Sequence, residues 1–151
     1  CAQLLEISSK YNFVFYTAIG KIFQARYLQT EDSLLAEQTV KEGYDMLLKA
    51  TDSKITIMHS VYGLTLSEIY LHSGQHDQFE TTVGQIIEKA LEYDERLYIH
   101  DLHLLKSDFF RKTNQPHLAD QFMEQARSGA ESSGSIRILN KQLNTLKQEQ
   151  L

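Results

Sequence analysis

A helix-hairpin pattern recurs three times along this chain of 151 residues, with small residues where two helices must touch and aromatic residues beside them. In the first helix of each pair, Tyr16, Ile19, Gly20 and Phe23 are matched by Gly63, Leu66, Ser67 and Tyr70, then by His103, Lys106, Ser107 and Phe110. In the second helix, Ala36, Val40 and Gly43 are matched by Phe79, Val83 and Ile86, then by Ala119, Met123 and Ala126. A position without a bulky side chain lets two helices approach closely, and the neighbouring aromatics fill the grooves beside the contact. Repeats of this size specify a helical solenoid. Such a pattern says how a surface is built and does not name the molecule that the surface binds.

Apolar residues recur at intervals of three and four almost throughout, and no stretch sustains the alternation of a half-buried strand. The expected fold is all-α: a superhelix of about seven helices in antiparallel hairpins over 12–50, 55–93 and 95–133, with a truncated helix at 2–10 and a terminal cap at 135–149. The first complete helix is expected over 12–29. Asp32 or Ser33 caps the next, which runs to about Ala50, and Ile55 to His72 forms another. Gly74 takes the left-handed conformation that ends a helix. Asp77 caps the helix that runs to about Tyr93, and the next covers Glu95 to Lys112. Pro116 suits the first turn of a helix to about Ser132, because its missing N–H would have no partner there, and Gly134 follows it. Gly74 and Asn114 are 40 apart (114 minus 74), as are Ser67 and Ser107 (107 minus 67). Gly20 lies 47 before Ser67 (67 minus 20), which calls for a longer loop or longer helices around Gln29 to Leu34. The stripe Ile136, Leu139, Leu143 and Leu146 makes the last segment amphipathic. It is expected to cover the apolar face of the last hairpin, the alternative being a partner-binding helix or self-association into a homodimer.

Composition narrows the class. An apolar share of 42% with 23% charged residues fits a globular chain, and this length buries a core without metals or disulfides. A net charge of -5 with no basic stripe argues against direct nucleic-acid binding, since neutralising phosphates needs clustered Lys and Arg. The densest positive patch is the pair Arg111 and Lys112, and Arg137, Lys141 and Lys147 are diluted by Gln and Asn. The single Cys1 fits a reducing compartment, and the aromatic-rich run from Tyr11 to Gly20 is about half the length that spans a bilayer. A cytoplasmic protein with no membrane partner is therefore expected. Cys1 stands inside the apolar pattern Leu4, Leu5 and Ile7, as in a piece cut from something longer.

The small residues at the helix contact, with an aromatic three positions later, resemble the tetratricopeptide repeat, although no Trp or helix-ending Pro is present. A closer resemblance is carried by Glu95-Arg96-Leu97-Tyr98, by Asp101-Leu102-His103-Leu104-Leu105-Lys106-Ser107-Asp108, by Ala119 to Ala126 and by the tail up to Leu146. These are similar to the tetratricopeptide-like C-terminal region of large multidomain bacterial signal-transduction ATPases and transcriptional regulators, which is also found attached to nucleotide cyclases. Val40, Lys41, Glu42 and Gly43 look like that family's second helix. Family members usually carry Glu-Leu at Asp101-Leu102 and Gly at Ser107, so the departures are conservative. The resemblance covers nearly the whole chain, better from Leu64 onward. It implies a protein-interaction or regulatory module in transcription or signal transduction, with no catalytic residues to carry over.

The residues themselves lead the same way. There is no Gly-rich phosphate loop, no dinucleotide turn and no Cys-x-x-Cys, and no Ser, His or acidic residue sits on a strand-to-helix elbow. No cofactor, metal or catalysis is implied. His100 and His103 lie one turn apart, and His72 and His76 straddle a loop beside Asp77, a spacing two metal ligands can share. A stable site needs three or four ligands, so helix packing or surface exposure is the favoured reading. A pH-sensing role for these four is the alternative. In the repeat register the first helices line a concave groove: Lys21 and Gln24 from the first pair, Val61, Leu64, Glu68 and Leu71 from the second, and Asp101, Leu104, Asp108 and Arg111 from the third. An apolar centre with charged flanks suits a protein, a peptide or another domain of the parent chain. Equally, Val61, Leu64 and Leu71 suit packing against neighbouring helices. A small ligand in the groove is the remaining alternative.

Overall fold

The computed structural model describes residues 13–50, 58–95 and 97–134. These form six helices and no strand: α1 (Val14–Leu28), α2 (Ser33–Ala50), α3 (His59–His72), α4 (His76–Glu92), α5 (Ile99–Lys112) and α6 (Pro116–Ser133). They pair as the antiparallel hairpins α1·α2, α3·α4 and α5·α6. Residues up to Glu95 make one compact unit and those from Arg96 a second. The helix expected over 2–10 and the cap over 135–149, with its stripe Ile136, Leu139, Leu143 and Leu146, lie outside the described residues. No described helix is long and apolar enough to cross a membrane.

In the first unit α3 packs against both helices of the first hairpin. Its sequence anticipates this position, because of its fourteen residues only Tyr62, Glu68 and His72 escape burial. A helix apolar on all sides must be enclosed. Polar contacts fix it to its neighbours. Arg26 of α1 pairs with Glu68 at 3.0 Å, and the Tyr70 hydroxyl donates to Glu37 of α2 at 3.1 Å.

The helix contacts depend on missing side chains. A Cβ on Gly43 would stand 2.8 Å from the Ala18 carbonyl oxygen and 3.0 Å from the Lys21 Cβ, so α1 and α2 approach backbone to backbone. In the second hairpin a Cβ on Gly63 would overlap the Ile86 side chain. In the third, the buried Ser107 hydroxyl donates to the Ala119 carbonyl at 2.8 Å, tying α5 to α6.

These contacts correct the expected register of the first hairpin. The loop from Gln29 to Asp32 has four residues, one more than Ser73–Gln75 or Thr113–Gln115. The sites that Gly43 meets, Ala18, Lys21 and Ile22, centre on Gly20, as Ile86 meets Gly63. Gly20 thus corresponds to Gly63, 43 residues on (63 minus 20), and not to Ser67. The longer loop accounts for one of the three residues by which that spacing exceeds 40.

Helix ends follow from local chemistry. Asp32 caps α2 as expected, its Oδ1 accepting from the Leu35 N–H at 2.9 Å. Gly74 (φ 73°) and Asn114 (φ 59°) are both left-handed, and in each case the next N–H reaches five residues back, Gln75 to Tyr70 at 2.9 Å and Gln115 to Phe110 at 2.8 Å. This six-to-one bond closes a helix C-terminus. Each loop is completed by an amide, Gln75 donating to Ser73 Oγ at 2.9 Å and Gln115 to Thr113 Oγ1 at 3.1 Å. With Gln75 so engaged, α4 begins at His76, and Asp77 stands inside its first turn, where a carboxylate favours the helix dipole, rather than at the cap. Pro116 opens α6, and Gly134 (φ 68°) follows it.

Of two helix starts, one falls outside the described residues and the other comes later than expected. Residues 55–57 lie outside the described residues, and the described part of α3 begins at His59. α5 begins at Ile99 rather than Glu95. Asp94 (φ 53°) turns left-handed, and the Glu95 N–H bonds back to Ala90 at 2.8 Å, so Glu95 completes α4 instead. Its buried carboxylate then accepts from the Ser60 N–H at 3.0 Å and the Ser60 hydroxyl at 2.8 Å. Met58, at the N-cap of α3, offers no side-chain bond, so a residue 35 positions away satisfies the first turn.

Candidate functional site

The expected groove residues divide between the two units. On α1, Lys21 pairs with Glu42 of α2 at 2.9 Å, and Gln24 is half-buried. On α3, Val61, Leu64 and Leu71 are buried, which leaves them little surface to present to an outside molecule, and Glu68 is engaged by Arg26. On α5, Asp101 is buried and Leu104 half-buried, while Asp108 and Arg111 form an exposed pair at 4.0 Å.

The histidines separate by environment. His72 and His76 are exposed. His103 packs beside the Phe122 ring, 6.1 Å between centroids, and burial, with His100 and Lys106 beside it, pushes its imidazole down to about 4. Among the described residues no three His, Cys, Asp or Glu side chains stand together as metal ligands would.

A different feature stands out in the first unit. Between α2, α3 and α4 lies a cleft of about 780 Å³, walled by Tyr44 and Leu48, by His59, Tyr62 and Leu66, and by one face of α4 from Thr82 to Tyr93. Its aromatic wall is ordered. Tyr44 and Tyr62 stack in parallel, 3.9 Å between centroids and 4° between planes, and Tyr93 meets His59 edge-on at 6.0 Å. The Tyr44 hydroxyl and His59 Nδ1 share a hydrogen bond of 2.6 Å. His59 is only 4% exposed, and its Nε2 has no hydrogen-bond partner among the described residues. Burial, with Lys89 adding to it, pushes this imidazole down to about 4, so it is neutral near pH 7. Burial also pushes the Tyr44 and Tyr62 phenols up to about 12.

The sequence contains these residues on regular helical stripes, but which stripes meet is set by how α3 seats against the first hairpin. His59 was not among the histidines singled out by spacing. The available signal was a cluster of amphipathic aromatics, Tyr44, Tyr62 and Tyr93, on otherwise unremarkable helix faces. No family model, curated protein or solved structure matches this chain.

Proposed function

We propose that this chain is a tetratricopeptide-like helical repeat that acts as a non-catalytic protein-interaction or regulatory scaffold. The observation that carries the reading is the seat of α3 against both α1 and α2. A hairpin that docks its first helix on both helices of the one before is the step from which a superhelical array is built. The matching turns at Gly74 and Asn114, and small residues at each helix contact, support the same reading. Its mechanism is to hold a protein segment, or another domain of a parent chain, and so bias that parent between states. A cytoplasmic bacterial regulator of transcription or signalling is the setting that the sequence resemblance implies.

The test is a quantitative pull-down from native lysate, beside a variant with the exposed Asp108, Arg111 and Lys112 replaced by Ala. A saturable prey lost with the variant supports an intermolecular groove on α5. Absence of any saturable prey, together with no binding by isolated domains of the parent, overturns the scaffold reading. One observation favours a second reading, a ligand sensor: the aromatic cleft has the size of a small-molecule site. A thermal-shift screen separates the two, because a small ligand raises the melting temperature and a missing protein partner leaves every compound silent.

A further inference from the structure

We infer that the cleft between α2, α3 and α4 is a binding site for an organic cation, an ammonium or guanidinium group seated against Tyr44, Tyr62 and Tyr93 with its charge answered by Glu88 and Glu92. The volume, about 780 Å³, accommodates a long side chain or a compact small molecule. Aromatic faces carry the negative part of the ring quadrupole, and Tyr is among the rings that hold cations best. The parallel Tyr44–Tyr62 stack fixes two rings before any guest arrives. That lowers the ordering cost of binding.

Charge selects the same guest. Glu88 and Glu92 line the cleft against the single cation Lys89. The Tyr44 and Tyr62 phenols are uncharged, and so is His59 near neutral pH, so this wall brings no positive charge of its own. An anion would meet two carboxylates. A wholly apolar guest would leave polar groups in the wall unpaired, at a cost. Among these groups is His59, more than nine-tenths buried on the cleft wall, with Nε2 unpartnered among the described residues. When Nδ1 carries the proton and donates to Tyr44, Nε2 holds a lone pair that accepts from an ammonium or guanidinium N–H. The inference rests on the scaffold reading only in where the cation comes from: free in solution, or carried on a Lys or Arg of a bound segment.

The experiment titrates the full chain with choline and with its neutral isostere 3,3-dimethyl-1-butanol, following tyrosine ring resonances and His59 nitrogen shifts by NMR. The expected result is saturable movement of Tyr44, Tyr62 and Tyr93 with choline, and binding of the isostere weaker by at least about fivefold. The double variant Glu88→Gln, Glu92→Gln changes two exposed side chains and keeps the fold; it should weaken choline by at least about fivefold as well. A blocked tripeptide with a central Arg forms the second arm. Tighter binding of the peptide assigns the cation to a protein segment, and tighter binding of choline to a free ligand. Both uphold the inference. Equal binding of choline and the isostere, no saturable shift with either cation, or undiminished binding by the double variant overturns it. A chain that binds choline yet captures no protein and no domain of its parent overturns the scaffold reading and leaves the cation site standing.

Discussion

The second and third hairpins share one frame and fill it differently. Three of their helix boundaries lie 40 residues apart, His59 against Ile99, His72 against Lys112 and His76 against Pro116, and their turns share the bonds of Ser73 and Thr113 four residues back and of Gln75 and Gln115 five residues back. Where the second hairpin sets small Gly63 of α3 against large Ile86 of α4, the third has His103 on α5 and Ala126 on α6. One turn along, Ser67 has Phe79 as its counterpart across the hairpin and Ser107 has Ala119. At the Gly63 position the side that carries the larger residue is exchanged, whereas at the Ser67 position a small–large pair is replaced by a small–small one. A residue-by-residue comparison therefore makes the third copy look degenerate although its geometry is kept.

The largest expected effect tests whether volume is traded across the second hairpin. Ile86→Ala leaves a cavity in a buried site and should cost about 2–5 kcal/mol. Gly63→Ala forces a Cβ into Ile86 and should cost about 1–3 kcal/mol. Combined, each change relieves the other, and the double variant should be more stable than the sum of the singles predicts by at least about 1 kcal/mol. Strict additivity in urea unfolding would break the comparison.

Each of the two hairpins also holds an imidazole against its packing, at different places in the frame: His59, buried at the start of α3, and His103, half-buried within α5. Both are pushed down to about 4, whereas the unfolded chain holds its histidines near 6.5. As pH falls from 6.5 toward 4, the unfolded state takes up protons that the folded state refuses, so stability present above 6.5 is lost across that window. Between pH 7.5 and pH 5 the loss should reach about 2 kcal/mol for each imidazole. Hydrogen exchange sharpens the comparison, because His59→Gln should flatten the pH response of α3 and α4, and His103→Gln that of α5 and α6. An identical response in both variants and the parent chain would remove both histidines from the account.

The paired serines give a smaller effect of opposite sign. Ser107 Oγ donates across the hairpin to Ala119, and Ser67 Oγ, equally buried, has no hydrogen-bond partner among the described residues. Ser107→Ala should destabilise by about 1 kcal/mol. Ser67→Ala removes a buried polar group that makes no bond, and should be neutral or stabilising by up to about 1 kcal/mol. Equal losses from both would mean that the two sites are packed alike.

How far the sequence foretold this follows from the same contrast. Helix periodicity, the turns at Gly74 and Asn114, the Asp32 cap and the Pro116 start are local chemistry, and each is where the sequence places it. The sequence places the start of α5 at Glu95 and not at Ile99, because Glu95 is recruited by Ser60, 35 residues away, and no local pattern encodes that. Gly20 and Ser67 look equivalent in the sequence because both are small; the Ala18, Lys21 and Ile22 atoms that Gly43 meets are what align Gly20 with Gly63 instead. The aromatic cleft was illegible for the same reason. Tyr44 and His59 sit on two helices and Tyr93 at the end of a third, and their meeting depends on how α3 seats against α2, a long-range fact.

The smallest predicted effect separates a glycine the contact needs from one it does not. Gly84 lies within α4, and a Cβ built there meets no heavy atom within 4 Å. It therefore contributes only its backbone freedom, which opposes helix formation. The third hairpin places Glu124 at the equivalent position, a good helix former paired with Arg127 of the next turn. Gly84→Ala should stabilise the chain by about 0.5–1 kcal/mol, through helix propensity alone. For a chain of this size that is a rise in melting temperature of about 1–4 °C. Measured beside Gly63→Ala, the same substitution in the facing helix of one hairpin should shift stability in opposite directions, a difference that only the packing of Gly63 against Ile86 can produce.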